Sequence, residues 1–180
     1  MTQKPAAFAL AAGLLAVPLV PVLLEATLPD RAWDEPAPGD AEVEIVSADG
    51  VGINITAPDG WQAQDNGDSA VIRSEGAAVL IQIYDRADRD PAAVAQRLMR
   101  ANRVQGMPSA LDGGRIGSAD GDFAGDTCVV VTTDLTGTCA YLSDEDVVVS
   151  VITLGDAEHP ALPIAEVVGP LARTDARSAR

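Results

Sequence analysis

An uncharged segment near the N-terminus places the strongest constraint on this chain. Twenty residues without a charge lie between Lys4 and Glu25, and most of them are Ala, Leu or Val. A helix of that length rises about 30 Å, which matches the hydrocarbon core of a bilayer. We therefore expect residues 1–28 to be a transmembrane anchor or a signal segment, with residues 5–28 in contact with the membrane.

The charges around this segment predict how the chain crosses the membrane. Lys4 precedes the segment, whereas four acids and one arginine follow it within residues 25–35. By the positive-inside rule, the N-terminus stays in the cytoplasm and the rest of the chain is extracytoplasmic. Cleavage sites near Ala26 are weak and no cysteine follows for lipid attachment, so we expect a single-pass cell-membrane protein. Secretion after signal cleavage is the alternative.

The next stretch, residues 29–41, has three prolines and four acids and shows no apolar period. This composition predicts a semi-extended linker. The whole chain has 27 acidic and 12 basic residues, a net charge of −15. A surface this acidic repels phosphate backbones, so we do not expect nucleic-acid binding.

Alternation of polar and apolar residues predicts a mainly β domain over residues 42–173. The turn Ala48-Asp-Gly50 and the turn at Glu75-Gly76 each separate two predicted strands. Strands are expected at residues 42–46, 51–56, 69–74, 77–84, 115–118, 126–133, 138–142 and 147–154. The residues between 112 and 125 are otherwise rich in turn formers.

Two helices complete the expected domain. The first is capped by Asp90, begins at Pro91 and ends at Gly106. Three of its apolar residues recur at helical spacing and should face the sheet: Val94, Leu98 and Ala101. The second helix is expected at residues 162–172, and residues 174–180 are expected to be a flexible tail. The pattern predicts an α+β fold with a mostly antiparallel sheet packed by two helices.

This order of elements carries a resemblance to a known fold. The turn Pro58-Asp-Gly-Trp61, the strand Leu80-Ile-Gln-Ile-Tyr84 and the helix start Asp90-Pro-Ala-Ala-Val94 resemble the PsbP-like fold. In particular, residues 42–173 are similar to actinobacterial envelope proteins of the lipoprotein LpqN type. The resemblance implies a non-enzymatic accessory protein that binds a protein or lipid component of a membrane-associated assembly. The chain lacks the anchoring cysteine of those lipoproteins, which leaves the N-terminal segment as the anchor.

The two cysteines lie on successive predicted strands, eleven positions apart. A disulfide between Cys128 and Cys139 is expected because export permits it, with buried free thiols as the alternative. A turn centred on residues 133–134 would set the cysteines opposite each other, whereas a turn at residues 134–137, suggested by Asp134 and Gly137, would offset them. A zinc or redox site is not expected, since the chain has no Cys-x-x-Cys and a single histidine.

Three arginines on the first helix are candidates for partner binding. Arg97, Arg100 and Arg103 follow one another at three-residue steps. They form either a solvated face paired with neighbouring acids or a docking face for an acidic partner or anionic lipid headgroups. Trp61 and Tyr84 are candidates for the lining of a ligand groove, although a tryptophan after a Pro-x-Gly turn more often plugs one end of a core.

Catalytic equipment is sparse in this sequence. Any Ser-His-Asp or Cys-His arrangement would need His159, which precedes a proline and is typical of a surface or helix-start position. Acidic turns occur at residues 65–68, 120–126 and 144–146, but none has the spacing of a calcium-binding loop. We therefore expect no enzyme, no metal and no cofactor. A small-ligand or calcium-binding extracytoplasmic domain is the alternative function.

Overall fold

The computed structural model describes Trp33 and residues 41–175. The expected membrane segment, most of the linker and residues 176–180 lie outside the described residues. Among the helices of the described part, none is long and apolar enough to cross a membrane.

The described part of the chain forms ten strands and two helices. In chain order they are β1 (Ala41–Val46), β2 (Val51–Ala57), β3 (Gln62–Asp65), β4 (Ser69–Ser74), β5 (Ala77–Asp85), α1 (Pro91–Val104), β6 (Ser109–Gly117), β7 (Ala124–Val131), β8 (Thr136–Ser143), β9 (Val147–Gly155), α2 (Ile164–Val168) and β10 (Ala172–Asp175). The large sheet has the order β3-β4-β5-β9-β8-β7-β6, and the small sheet has the order β1-β2-β10. Neighbouring strands pair antiparallel. The predicted α+β class, with antiparallel sheets and two helices, is confirmed.

The large sheet separates two hydrophobic cores. The small-sheet core lies between the two sheets and includes α2; its members include Ile45, Ile53, Ile55, Val79, Ile81, Leu142, Val149, Val151 and Val167. The α1 core lies under α1; its members include Val94, Leu98, Cys128, Cys139, Tyr141, Val148 and Ile152. Strand β9 is buried along all nine residues because both of its faces are covered. This explains why its sequence is a continuous apolar run.

Several boundaries differ from the prediction, each for a local reason. Strand β3 was not predicted; it is a four-residue edge strand. Strand β6 is much longer than the predicted strand 115–118, because a register shift between Leu111 and Arg115 accommodates the glycines that suggested a turn. The β7–β8 turn lies at residues 132–135, not 134–137: the Thr132 hydroxyl accepts a hydrogen bond from the Leu135 amide at 2.9 Å.

The C-terminal part of the domain also differs. Helix α2 is shorter than the predicted helix 162–172, because Gly169 and Pro170 end it. The chain then forms β10, so residues 174 and 175, predicted to belong to the flexible tail, pair with β2. In α1, Ala101 is exposed and does not face the sheet, whereas its neighbour Asn102 is buried. The reason is the i, i+4 row that Asn102 shares with the two buried residues Val94 and Leu98.

Candidate functional site

Helix α1 is the element that presents the candidate binding residues. Its N-terminus is capped by Asp90, whose carboxylate accepts a hydrogen bond from the Ala92 amide at 3.2 Å, and Pro91 occupies the first turn. The helix ends at Val104, ahead of Gly106, which has a φ of +84°. The predicted start and stop signals are therefore confirmed, and they set which side chains point away from the sheet.

The outer face of α1 is cationic. Arg97, Arg100 and Arg103 are all exposed, and no acidic residue occurs anywhere in the helix. Their neighbours on this side are small or neutral, and Val104 is 89% exposed. We call the surface formed by the three arginines and Val104 the arginine face.

The three arginines of the arginine face differ from the other described arginines in their lack of partners among the described residues. Eight arginines lie in the described part, and five of them have a polar or aromatic partner: Arg73, Arg86, Arg89, Arg115 and Arg173. Among the described residues, Arg97, Arg100 and Arg103 make neither a hydrogen bond nor an ion pair. The expectation that this face is paired with neighbouring acids therefore has no support within residues 41–175.

Arg173, in contrast, is an arginine held by two ion pairs. From β10 it donates hydrogen bonds to Asp144 at 2.6 Å and Asp146 at 2.5 Å, both in the β8–β9 turn. The hydrogen bond to Asp146 is the largest of the effects that raise the pKa of Arg173. This arginine therefore ties the small sheet to the end of the large one, a structural task that the arginine face does not share.

Two residues of the predicted linker are described: Ala41, which begins β1, and Trp33, which contacts the domain. The guanidinium carbon of Arg73 lies 3.5 Å from the centroid of the Trp33 ring, a cation–π stack. Arg73 also donates a hydrogen bond to Gln62 at 3.3 Å, which orients it at the β3–β4 edge. Sequence reasoning missed this contact because no local pattern links residues forty positions apart.

Trp61 and Tyr84 do not line a common groove. Trp61 packs against the small-sheet core, whereas Tyr84 packs against the α1 core on the other side of the large sheet. The Tyr84 hydroxyl donates a hydrogen bond to Gln82 at 2.7 Å. Burial raises the pKa of Tyr84, and the nearby Asp68 and Tyr141 raise it further. Trp61 therefore acts as part of a core, and Tyr84 as part of the layer beneath α1.

The cysteines meet as a cross-strand pair. Cys128 and Cys139 are direct partners in the β7–β8 ladder, with Cα atoms 4.8 Å apart and sulfurs at disulfide-bonding distance. The turn at residues 132–135 produces this register, since it is centred on residues 133–134. The distance between the sulfurs confirms the expected pairing of the two cysteines. Both residues are fully buried in the α1 core.

A shallow groove runs beside the N-terminal half of α1. Its volume is about 230 Å³, and it lies between the helix and strands β6 to β9. Met99, Leu111 and Tyr141 contribute apolar surface, while Arg115 and Asp126 lie at the edge, 4.0 Å apart. Leu111 is 51% exposed, so its side chain is open to a bound molecule. The groove can hold a small, mostly apolar group.

The histidine and the acidic turns serve local structure. His159 lies with its Nδ1 3.2 Å from Asp156, and this pair packs against Gly76 in the β4–β5 turn. The Asp144 carboxylate accepts hydrogen bonds from the amides of Asp146 and Val147, both at 2.7 Å. Within residues 41–175 no group of three or more His, Cys, Asp or Glu side chains is arranged to hold a metal ion.

Comparison of the sequence with family models gives no match, and comparison with curated proteins gives none either.

Proposed function

We propose that this protein is a non-enzymatic, membrane-anchored accessory protein of the actinobacterial cell envelope. Its extracytoplasmic domain binds an acidic protein or lipid component of a membrane-associated assembly through the arginine face of α1. A PsbP-like relationship to envelope proteins of the LpqN type is part of this proposal. It is supported by part of the order of elements: paired strands, α1, a strand meander and the short helix α2, which β10 then follows.

One observation carries the proposal: on a chain with a net charge of −15, three exposed cations have no partner among the described residues. Exposed ion pairs stabilise a fold by only about 0–1 kcal/mol each, so pairing would gain the domain little. Clustered like charges also repel one another, which disfavours the cluster unless a partner offsets it. A binding surface for an anionic partner explains the cluster, whereas the folded domain alone does not require it.

Crosslinking in native membranes tests this function. A photo-crosslinking amino acid at Ala101, which is exposed on α1, is expected to capture a component that a probe at Ala119 does not. The triple variant Arg97→Gln, Arg100→Gln, Arg103→Gln should abolish capture while leaving the melting temperature unchanged. Equal capture from both positions, or capture that the triple variant does not reduce, would refute the proposal.

A second candidate function, binding of a small ligand, is favoured by the groove beside α1. Its apolar surface and its edge charges suit a small amphiphilic molecule. The expected observation is a rise in melting temperature with such a ligand, lost on Leu111→Asn and kept in the triple arginine variant. A shift that survives Leu111→Asn would place the ligand elsewhere.

A further inference from the structure

We infer that the partner of the arginine face is the layer of anionic lipid headgroups of the membrane in which residues 5–28 anchor the chain. This inference rests on the proposed function, since it requires both the anchor and binding through α1. The component bound by the arginine face is then a lipid surface, and the experiment below distinguishes it from a protein partner.

Charge complementarity is the first argument. The acidic domain as a whole is repelled by an anionic bilayer, so only a surface with local positive charge can approach it. Along α1, no acid interrupts Arg97, Arg100 and Arg103, and the exposed Val104 adds an apolar contact at the helix end. Three arginines with an apolar neighbour on one helix side are suited to a headgroup layer.

The position of Trp33 is the second argument. Leu80 on β5 packs in the α1 core, so Ala78, two residues earlier, points to the same side of the sheet. Arg73 pairs directly with Ala78 across the β4–β5 ladder and therefore shares that side. Trp33, stacked on Arg73, thus docks the linker on the side of the large sheet that α1 covers.

This stack also shortens the free tether. From residue 28 to Ala41 an extended chain reaches about 45 Å, but from residue 28 to Trp33 it reaches only about 17 Å. With Trp33 stacked on Arg73, at most about 17 Å of chain separates residue 28 from a contact on the side of the large sheet that α1 covers. A shorter tether raises the effective concentration of headgroups at the arginine face.

The shape of the face favours lipid over protein. The three side chains stand on the outside of a single helix of fourteen residues, and none of them has a hydrogen-bond or ion-pair partner among the described residues. Recognition of a defined protein carboxylate relies on the planar fork of arginine, and lysine replaces it poorly. A fluid headgroup layer needs only positive charge close to the surface, so lysine should replace arginine there.

The test uses the full-length chain reconstituted in vesicles. An environment-sensitive fluorescent amino acid at Ala101 reports contact of α1 with the bilayer, and one at Ala119 is the control position. In vesicles of 7:3 phosphatidylcholine and phosphatidylglycerol, the Ala101 probe should enter a less polar environment. In pure phosphatidylcholine it should stay in water, as the Ala119 probe should in both.

Variants of the three arginines distinguish a requirement for positive charge from a requirement for the shape of the guanidinium group. Arg97→Gln, Arg100→Gln, Arg103→Gln should lower the ratio of docked to undocked domain by on the order of 100-fold, about fivefold for each charge near the surface. The matched triple lysine variant should keep most of the docking, and raised salt should weaken it. Trp33→Ala should lower the docked fraction without removing the dependence on phosphatidylglycerol.

The outcomes also separate this inference from the proposed function. An Ala101 probe that ignores phosphatidylglycerol overturns the lipid inference. If α1 then captures a protein in native membranes, and the lysine variant loses that capture, the proposed function stands with a protein partner. If α1 contacts neither, both fail.

Discussion

The small-sheet core is built from aliphatic side chains and Phe123, with Trp61 packed against it, whereas the α1 core contains a cysteine bridge, two phenols and a buried carboxamide. Ile45, Ile53 and Ile81 are fully buried in the first. In the second, Val94 and Leu98 remain 5% and 8% exposed, and Asn102 donates a hydrogen bond to the Tyr141 hydroxyl at 3.2 Å. The small sheet and helix α1 cover opposite sides of the large sheet, and different kinds of contact therefore hold them there.

This difference suggests that the two cores contribute differently to the stability of the domain and to the positioning of α1. A core of mainly hydrocarbon side chains contributes most of its stability through burial and tight packing. A helix held by fewer buried apolar residues, one polar pair and a neighbouring cysteine bridge contributes less stability but is fixed in register. The element that presents the arginine face is thus positioned by specific contacts, and its outer surface is free to vary without loss of the fold.

The largest expected effect tests the aliphatic side. Ile81→Ala should lower the free energy of unfolding by about 4 kcal/mol, because the cavity lies between two sheets that cannot collapse into it. Ile81→Val, the matched control, should cost about 1 kcal/mol. Urea unfolding measures both. If Leu98→Ala on α1 lowers the free energy of unfolding as much as Ile81→Ala does, the proposed difference between the two cores is wrong.

The next effect tests the cysteine bridge beneath α1. Replacing Cys128 and Cys139 together by alanine should lower the free energy of unfolding by about 3 kcal/mol, since the bridge closes a short loop in the unfolded chain. Wild-type protein in denaturant without reductant should show no titratable thiol. Two thiols per chain would contradict the bridge and leave the α1 core with buried free cysteines.

A smaller effect tests the polar pair. Tyr141→Phe leaves the Asn102 amide buried without its acceptor and should cost about 1–3 kcal/mol. Adding Asn102→Leu to that variant should recover much of the loss, because both partners are then apolar. Double-mutant-cycle unfolding measures the coupling. Equal costs for the single and double variants would show that the pair does not position α1.

The smallest effect is expected outside both cores, at Asp156. Hydrogen bonds from the amides of His159 and Glu158 hold the pKa of Asp156 below its usual value. A lowered folded-state pKa gives stability that is present above the unfolded value of about 4 and is lost as the pH falls below it. The stability difference between wild type and Asp156→Ala should therefore shrink between about pH 6 and pH 3. A constant difference across this range would contradict the assignment.

Local signals in the sequence predicted much of this fold. The cap at Asp90, the proline at Pro91 and the glycine at Gly106 defined α1 because caps act over a few residues. Alternation defined β1 and β2, and the turn at Glu75-Gly76 defined the hairpin of β4 and β5. The fold class followed from these elements, since hairpins with few helices favour antiparallel sheets.

The features that the sequence did not predict depend on distant or competing contacts. Asn102 was not among the residues expected to face the sheet, because its burial depends on the hydrogen bond to the distant Tyr141 hydroxyl. The register of the cysteines depended on the Thr132 side chain, which closes the turn earlier than Asp134 and Gly137 suggested. The stack of Trp33 on Arg73 joins two segments that no local pattern relates. The candidate arginines were found because helical spacing is local, but their lack of described partners is visible only in three dimensions.

The last strand carries a consequence for the timing of folding. β10 pairs with β2, so Ala172 lies beside Asn54 and Asp175 beside Val51. The small sheet therefore stays incomplete until residues 172–175 are available to pair with β2. Non-local pairing of this kind is slow to form because a long loop must close first. The large sheet, whose last strand in chain order ends at Gly155, needs none of these residues and can therefore form before the small sheet is complete.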